Sequence, residues 1–304
     1  MTTGARIIDG RAIADTMRGE IAAGAAAFRD GHGLPPGLAV VLVGSDPASE
    51  VYVRMKGKAA DAAGFHSRQI DLPADTPHEQ LIGVIDGLNA DPAIHGILVQ
   101  LPLPKQINTD EVIRRVDPAK DVDGFHPLNV GRLAIGDTDV LAPCTPAAVV
   151  EMLMRSDCDP AGKHVVIVGR SNIVGRPLAL LLLRNGPGGN ATVTVAHSRS
   201  RDLGAVTRAA DILVAAVGRA QLIRGDMVRS GAVVIDVGVN RVEDPSAKKG
   251  YRLVGDVAYD EVAPRVAAIS PVPGGVGPMT ITMLLRNTLE AARRQARSHA
   301  PAIH

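Results

Sequence analysis

The sequence predicts an α/β protein of two domains, each a parallel sheet wound with helices. Two observations carry that reading. Short apolar runs alternate with longer helical patterns from end to end, which is the rhythm of strand–helix–strand units. That rhythm is interrupted by a turn-rich stretch and starts again after "PCTP" (143–146). The chain has 304 residues, enough for two domains of ordinary size or for one large one.

In the first rhythm, "LAVVLVG" (38–44) is continuously apolar and reads as a buried strand. Pro47 then stands where a first helical turn tolerates it, and the pattern predicts a helix to about Gly64. A strand at "SRQIDLP" (67–73), a helix over about 77–89 and a strand at "HGILVQLPLP" (95–104) follow. "DPAKDVDGFHPLNVGRL" (117–133) has little periodicity and many turn formers, so it is expected to be an ordered loop. Thr145, before Pro146, is the expected cap of a helix running to about 156 and linking the two parts. The second rhythm places strands at 164–169, 191–198, 210–218 and 231–238, and a long amphipathic helix at 277–297. The last several residues are expected to fray.

With 33 basic and 32 acidic residues the formal charge is +1, which offers no electrostatic attraction for nucleic acid or an anionic membrane. The start, "MTTGARIIDG", lacks the apolar core of a signal peptide, and the longest apolar run, "PLALLLL" (177–183), is too short to span a bilayer. The two cysteines, Cys144 and Cys158, fit no metal-ligand spacing and form no disulfide framework. A soluble cytoplasmic protein with no metal centre is the expectation.

"KHVVIVGRSNIVGRPLALLLL" (163–183) reads as strand, turn and helix, with Gly169 and Gly175 in the turn. Backbone amides and a helix N-terminus in that arrangement receive a pyrophosphate. The spacing departs from G-x-G-x-x-G: Ser171 replaces the second glycine and the closing glycine comes one residue late. Alone, the loop is equally consistent with a structural strand-to-helix turn. The next strand ends in "AHSRSR", where an NAD site usually carries an acid for the ribose hydroxyls. Here that place offers Ser198 and Arg199, with Arg170 in the loop itself. Guanidinium and hydroxyl donors suit a phosphate and a carboxylate repels one, so the cofactor predicted is NADP rather than NAD.

The first part carries its own candidates. Tyr52, one of only three tyrosines, stands four residues before Lys56, which puts both on one helical face. A lysine ammonium in water is a poor base, and desolvation in a closing cleft would let it exchange protons or stabilise an oxyanion. Gln100 ends the strand "GILVQ", at the carboxyl end where α/β sheets collect ligands, and its neutral amide could hold the amine without adding a counter-charge. Asp123 is a carboxylate suited to a pair of heterocycle N–H donors. Taken singly, Lys56 reads equally as a surface ammonium, Gln100 as a strand end and Asp123 as a turn former. "SPVPGGVGPMT" (270–280) is a rigid turn whose backbone could approach a flat ligand, or a plain connection to the last helix.

"SEVYVRMKGKAADAAGF", "GILVQLPLP", "KDVDGFHPLNVGRL", "PCTP", "IVGRSNIVGRP", "VIDVGVN" and "GDVAYDEVAPRVAAISPVPGGVGPMT" occur in this order in one family. From about Ile8 to Ala292 the chain closely resembles the bifunctional methylenetetrahydrofolate dehydrogenase/cyclohydrolases. The resemblance implies oxidation of 5,10-methylenetetrahydrofolate with NADP, then hydrolysis of the methenyl product to 10-formyltetrahydrofolate. It implies a folate site in a cleft between the domains, where Asp123 holds the pterin edge and Tyr52 packs on the ring system. Lys56 would serve hydrolysis with Gln100 tuning its proton affinity, and Pro271, Gly274 and Gly275 would line the substrate. Gly169, Arg170, Ser171, Ile173, Gly175, Ser198, Arg199 and Val239 would contact NADP, Val239 through its backbone. The resemblance also implies a folate-binding domain of residues 1–145 completed by the C-terminal helix (279–304), a Rossmann-like domain at 146–278, and a homodimer. Within "PCTP", Cys144 reads as a buried structural thiol.

Two rival readings remain from the sequence. A monofunctional NADP dehydrogenase of another small substrate, such as a shikimate-type hydroxy acid, leaves Tyr52, Gln100 and Asp123 unexplained. A non-catalytic folate or nucleotide sensor leaves Lys56 without a purpose.

Overall fold

The computed structural model describes residues 4–44, 47–247 and 250–299. The expected fraying of the last residues falls outside them from position 300 on. The chain divides into two compact units: residues 15–144 with the segment from Ile281 on, and the first 14 residues with Thr145–Thr280.

A two-residue strand, β1 (Arg6–Ile7), leads into the long helix α1 (Gly10–His32). Then come β2 (Gly37–Val43), α2 (Pro47–Ala62), β3 (His66–Leu72), α3 (His78–Ala90), β4 (Gly96–Val99) and two short helices, α4 (Thr109–Arg115) and α5 (Pro127–Ala134). β2, β3 and β4 form a parallel sheet in the order β3-β2-β4. All seven residues of β2 are buried, as a strand covered on both faces must be. Leu81, Ile85 and Leu88 of α3 recur at helical spacing and pack with Val41, Ile97 and Val112 in one core cluster. Because the chain leaves β2 for β3 on one side and returns to β4 on the other, the carboxyl ends of β2 and β4 flank a topological switch point.

The second unit runs through α6 (Cys144–Arg155), β5 (His164–Val168), α7 (Gly175–Leu183), β6 (Thr192–Ala196), α8 (Leu203–Arg208), β7 (Ile212–Ala215) and β8 (Val233–Asp236). An antiparallel hairpin, β9 (Asn240–Glu243) with β10 (Tyr251–Val254), precedes α9 (Tyr259–Val262), β11 (Ala268–Ile269) and the final helix α10 (Val276–His299). The sheet has six parallel strands in the order β1-β11-β8-β7-β5-β6. Here the switch point lies between β5 and β7.

Four expectations change. The start of the chain, assigned above to the folate-binding domain, pairs with β11 through Arg6 and Ile7 and belongs to the six-stranded unit. The strand expected at 95–104 stops at Val99, because Pro102 and Pro104 have no N–H to continue a ladder. The loop expected at 117–133 contains α5, since Pro127 opens a helix and the His126 ring accepts from the Leu128 N–H. Thr145 is not a cap: α6 already begins at Cys144, and the Thr145 hydroxyl meets that of Thr280 at 3.2 Å.

Candidate functional site

The inward face of α2 is set by Val53 and Ala60, both buried, and Lys56 stands between them on the same face, half-buried at its edge. One turn earlier, Tyr52 is 42% exposed, an unusual place for a tyrosine in so aromatic-poor a chain. Gly64, at φ +77°, turns the chain after the helix toward β3. The backbone N–H of Gln100 makes the last bond of β4, to the Val41 carbonyl at 2.8 Å, which puts its side chain at the switch point. Its Nε2 donates to the Leu101 carbonyl at 2.7 Å, leaving Oε1 to accept from Lys56 Nζ at 2.9 Å. The amine is therefore held by a neutral acceptor.

Asp123 comes to the same place through a built loop. Ile97 donates to the Lys120 carbonyl and bridges to Asp121, so this segment runs alongside β4. The buried Asp121 carboxylate accepts from the N–H groups of Gly124, Phe125 and His126 and from Asn129 Nδ2 at 2.8–3.2 Å. Gly124, at φ +73°, approaches the 141–143 backbone so closely that a Cβ would overlap it. On the other side, Asn287 of α10 donates to the carbonyls of Val122 and Ala142, both at 2.9 Å. Removal from water raises the Asp123 carboxyl to about 6, against the pull of the Lys56 ammonium and with a small push from Asp121. Cys144 is buried beside this loop, its thiol donating to the Val122 carbonyl at 3.2 Å, and burial pushes it well above the ordinary thiol range. A thiol so held stays protonated and is no nucleophile.

In the six-stranded unit, β5 delivers Gly169 to the switch point at φ +134°. A Cβ there would overlap the Ala216 carbonyl, and one on Gly175 would overlap the carbonyl of Gly169. Both glycines are thus required for the turn to close. Ser171, in place of the usual second glycine, accepts at its hydroxyl from the Val174 N–H at 3.1 Å and from the Gly175 N–H at 3.5 Å, which fixes the turn into α7. Arg170 and Ile173 are exposed in this turn, and Ser198 and Arg199 are exposed after the neighbouring strand β6. Val239, 48% exposed, follows β8. A glycine-lined turn at a switch point, with guanidinium and hydroxyl donors at the two adjacent strand ends, fits a dinucleotide bearing an extra phosphate. Pro271, Gly274 and Gly275 form the turn before α10 in this same unit, where the Gly274 carbonyl accepts from Arg11 at 3.0 Å and Gly10 packs directly on Gly275.

Lys56, Gln100 and Asp123 are therefore brought together in one unit with Tyr52 one turn away. The proposed cofactor residues gather at the strand ends of the other. Asp121, Asn287, Asp236 and Asp256 are among the buried polar groups that sequence reasoning missed. The first aspartate of "KDVDG", the one in "VIDVG" and the one in "GDV" each lie within three residues of a glycine in an otherwise apolar or turn-forming run, which is the signal the sequence offers for them.

A doubly wound nucleotide unit and a second α/β unit carrying a lysine, an amide and a buried carboxylate describe a two-domain NAD(P)-dependent enzyme. Residues 8–123 match the family profile "Tetrahydrofolate dehydrogenase/cyclohydrolase, catalytic domain", and residues 143–296 match its NAD(P)-binding domain. The chain belongs to this family. It is 58% identical over 289 residues to a Geobacter sulfurreducens protein named bifunctional protein FolD 2, covering 95% of this chain and 97% of that one. It is 56% identical to a Chlorobium phaeobacteroides protein named bifunctional protein FolD, covering 95% and 98% of the two chains. A Trypanosoma brucei methylenetetrahydrofolate dehydrogenase-cyclohydrolase, solved with NADP and an inhibitor, superposes with a TM-score of 0.91 at 44% identity, over 97% of this chain and 99% of that one.

Proposed function

We propose that the protein oxidises 5,10-methylenetetrahydrofolate to the 5,10-methenyl form with NADP and hydrolyses that product to 10-formyltetrahydrofolate. The observation that carries this reading is the Lys56–Gln100 hydrogen bond beside Asp123, in a chain of this family. NADP, when bound, accepts hydride from the one-carbon bridge. That step needs no protein acid, because the adjacent nitrogens stabilise the cation left behind, and the protein's task is alignment. Gly169, Arg170, Ser171, Ile173, Gly175, Ser198, Arg199 and Val239 hold the cofactor in this proposal.

Hydrolysis makes a different demand. Water adds to the methenyl carbon and loses both protons as its oxygen becomes the formyl carbonyl: one goes to the ring nitrogen as the C–N bond opens, and the other is released to solvent. Lys56 Nζ moves these protons, and Gln100 Oε1 fixes the amine without adding a counter-charge of its own. Asp123 accepts from the N–H groups of the pterin edge, Tyr52 packs against the ring system, and the backbone of Pro271, Gly274 and Gly275 contributes to substrate binding. In this reading residues 1–145 with 279–304 form the folate-binding part, less the β1 segment, and 146–278 the NADP-binding part.

We further read the protein as a cytoplasmic homodimer with tetrahydrofolate derivatives as its small-molecule partners and neither nucleic acid nor membrane among them. The balanced charge and the two buried cysteine thiols that are not paired with each other support the compartment and the absence of an electrostatic nucleic-acid partner, and the homodimer rests on the family resemblance alone. One coupled assay tests the function: purified protein with methylenetetrahydrofolate and NADP, followed for reduced cofactor and for formyl product. Absence of reduced cofactor defeats the whole reading, and reduced cofactor without formyl product defeats its second half.

A further inference from the structure

At the carboxyl ends of β7 and β8 two buried aspartates supply the hydrogen-bonding partners that three separate loops lack. Asp256 accepts at Oδ2 from the N–H groups of Val217 (2.6 Å) and Gly218 (2.9 Å), and at Oδ1 from the Arg219 N–H (2.8 Å) and Asn240 Nδ2 (2.9 Å). Asp236 accepts from the N–H groups of Gly238 (3.0 Å), Asp256 (3.0 Å) and Val257 (2.9 Å). The packing requires glycine on both sides, since a Cβ on Gly238 would overlap the Asp256 carboxyl and one on Gly255 would overlap that of Asp236.

These loops are not remote from the turn at Gly169. Ala216, whose carbonyl Gly169 packs against, immediately precedes the Val217–Arg219 turn that Asp256 holds. Val239 immediately follows Gly238, which Asp236 holds. Asp256 is itself 0% exposed, so it can touch no ligand.

We propose that Asp256, supported by Asp236, is the positioning residue for the wall of the dinucleotide site formed after β7 and β8, and that it sets affinity for NADP without contacting it. The proposal rests on the reading that NADP occupies this unit. Both carboxylate oxygens are in use, so Asp256→Asn keeps the shape but offers one acceptor where two are needed and turns an N–H₂ group against backbone donors. The turn that loses its acceptor must find water and move.

The experiment compares two properties of the same variant. NADP affinity is measured by titration calorimetry and as KM in the dehydrogenase assay. Hydrolysis of supplied methenyltetrahydrofolate, which needs no NADP, reports on Lys56 and Gln100 in the other unit. The expected result for Asp256→Asn is NADP binding weakened at least about tenfold, with hydrolysis within about twofold of wild type. Unchanged NADP affinity overturns the proposal, and so does a parallel fall in both activities at constant KM, which is the mark of a merely structural residue. Should Asp256→Asn not fold, Asn240→Ala decides, because it removes one donor at the partly exposed rim of the cluster: NADP binding weakened about two- to threefold is expected, and unchanged binding overturns the proposal. Wild-type protein that binds no NADP overturns the functional reading, and the proposal with it.

Discussion

Lys56 Nζ lies 2.9 Å from Gln100 Oε1, and Gln100 turns its own N–H toward the Leu101 carbonyl. A lysine in an ordinary ion pair would face a carboxylate, whereas here the partner is a neutral amide whose orientation is fixed from behind. If Lys56 moves the protons of hydrolysis, Lys56→Met should lower cyclohydrolase activity by about 10²–10⁴-fold while the KM for the folate substrate changes only severalfold. Gln100→Glu is the sharper probe: it puts a carboxylate where the amine now meets a neutral acceptor, so hydrolysis at neutral pH should fall. A pH–rate profile of the methenyl substrate for both variants checks this, and undiminished hydrolysis in Lys56→Met refutes the role.

Asp123 supplies a pH dependence with a definite sign. Its carboxyl is raised to about 6 from an ordinary 3.8, chiefly by burial. Between those values the folded protein holds a proton that the unfolded chain has released. The stability contributed by the neutral carboxyl is complete below about 3.8 and is lost as pH rises through about 6. Asp123→Asn should remove that dependence, gaining about 1–2 kcal/mol relative to wild type above pH 6, less than the full shift because the carboxyl keeps partial contact with water. The folate KM should move the other way, rising about tenfold or more in the variant because the anion that accepts the pterin N–H pair is gone. Denaturant unfolding at pH 4.5 and 7.5, beside folate kinetics, tests both halves; equal stability differences at the two pH values would sink the first.

What the sequence made legible follows from how local each feature is. The parallel sheets, the glycine turn and the Tyr52–Lys56 spacing are set within about one element each, so periodicity and turn chemistry suffice to find them. The Lys56–Gln100 pairing joins residues 44 positions apart and was reachable only by placing Gln100 at a strand's carboxyl end. β1 and β11 have two residues each, too short for any period, and their pairing is what carried the start of the chain into the six-stranded unit. Asp121, Asp236 and Asp256 accept N–H groups from neighbouring turns, a role that no local period marks, and only burial separates such an acid from a solvated one.

Cys144 gives a prediction of absence. Its thiol donates to the Val122 carbonyl, and burial holds it well above the ordinary range, with nearby Asp123 adding to the effect. Native protein should therefore leave Cys144 unreacted with an alkylating reagent over minutes at pH 8, a time in which unfolded protein is fully labelled. Cys144→Ala should retain both activities within severalfold and cost about 1–2 kcal/mol of stability, from the lost contacts and the bond no longer made. Loss of hydrolysis without loss of stability would instead make the thiol a participant. Mass mapping of the modified residue and a thermal melt of the variant distinguish the outcomes.

The choice of nicotinamide turns on the ends of β5 and β6. Arg170, Ser198 and Arg199 are all exposed there, at the place where a dinucleotide unit that takes NAD presents an acid. Arg199 has its backbone fixed, since its N–H donates to His197 Nδ1 at 3.1 Å and the His197 N–H is held by Ser200. Its guanidinium therefore starts from a defined turn and can meet a phosphate with two parallel N–H groups. A charge-assisted hydrogen bond is worth about 1.5–3 kcal/mol, so Arg199→Ala should raise the KM for NADP about 10- to 150-fold. NAD carries no phosphate at that position, so its KM should stay within about twofold. Arg199→Lys should recover only part of the loss, because an ammonium keeps the charge without the fork. Steady-state kinetics of the three proteins with both nicotinamides test this. Equal losses for NADP and NAD would mean that Arg199 supports the turn rather than reads the phosphate, and the preference would then have to come from Arg170 and Ser198.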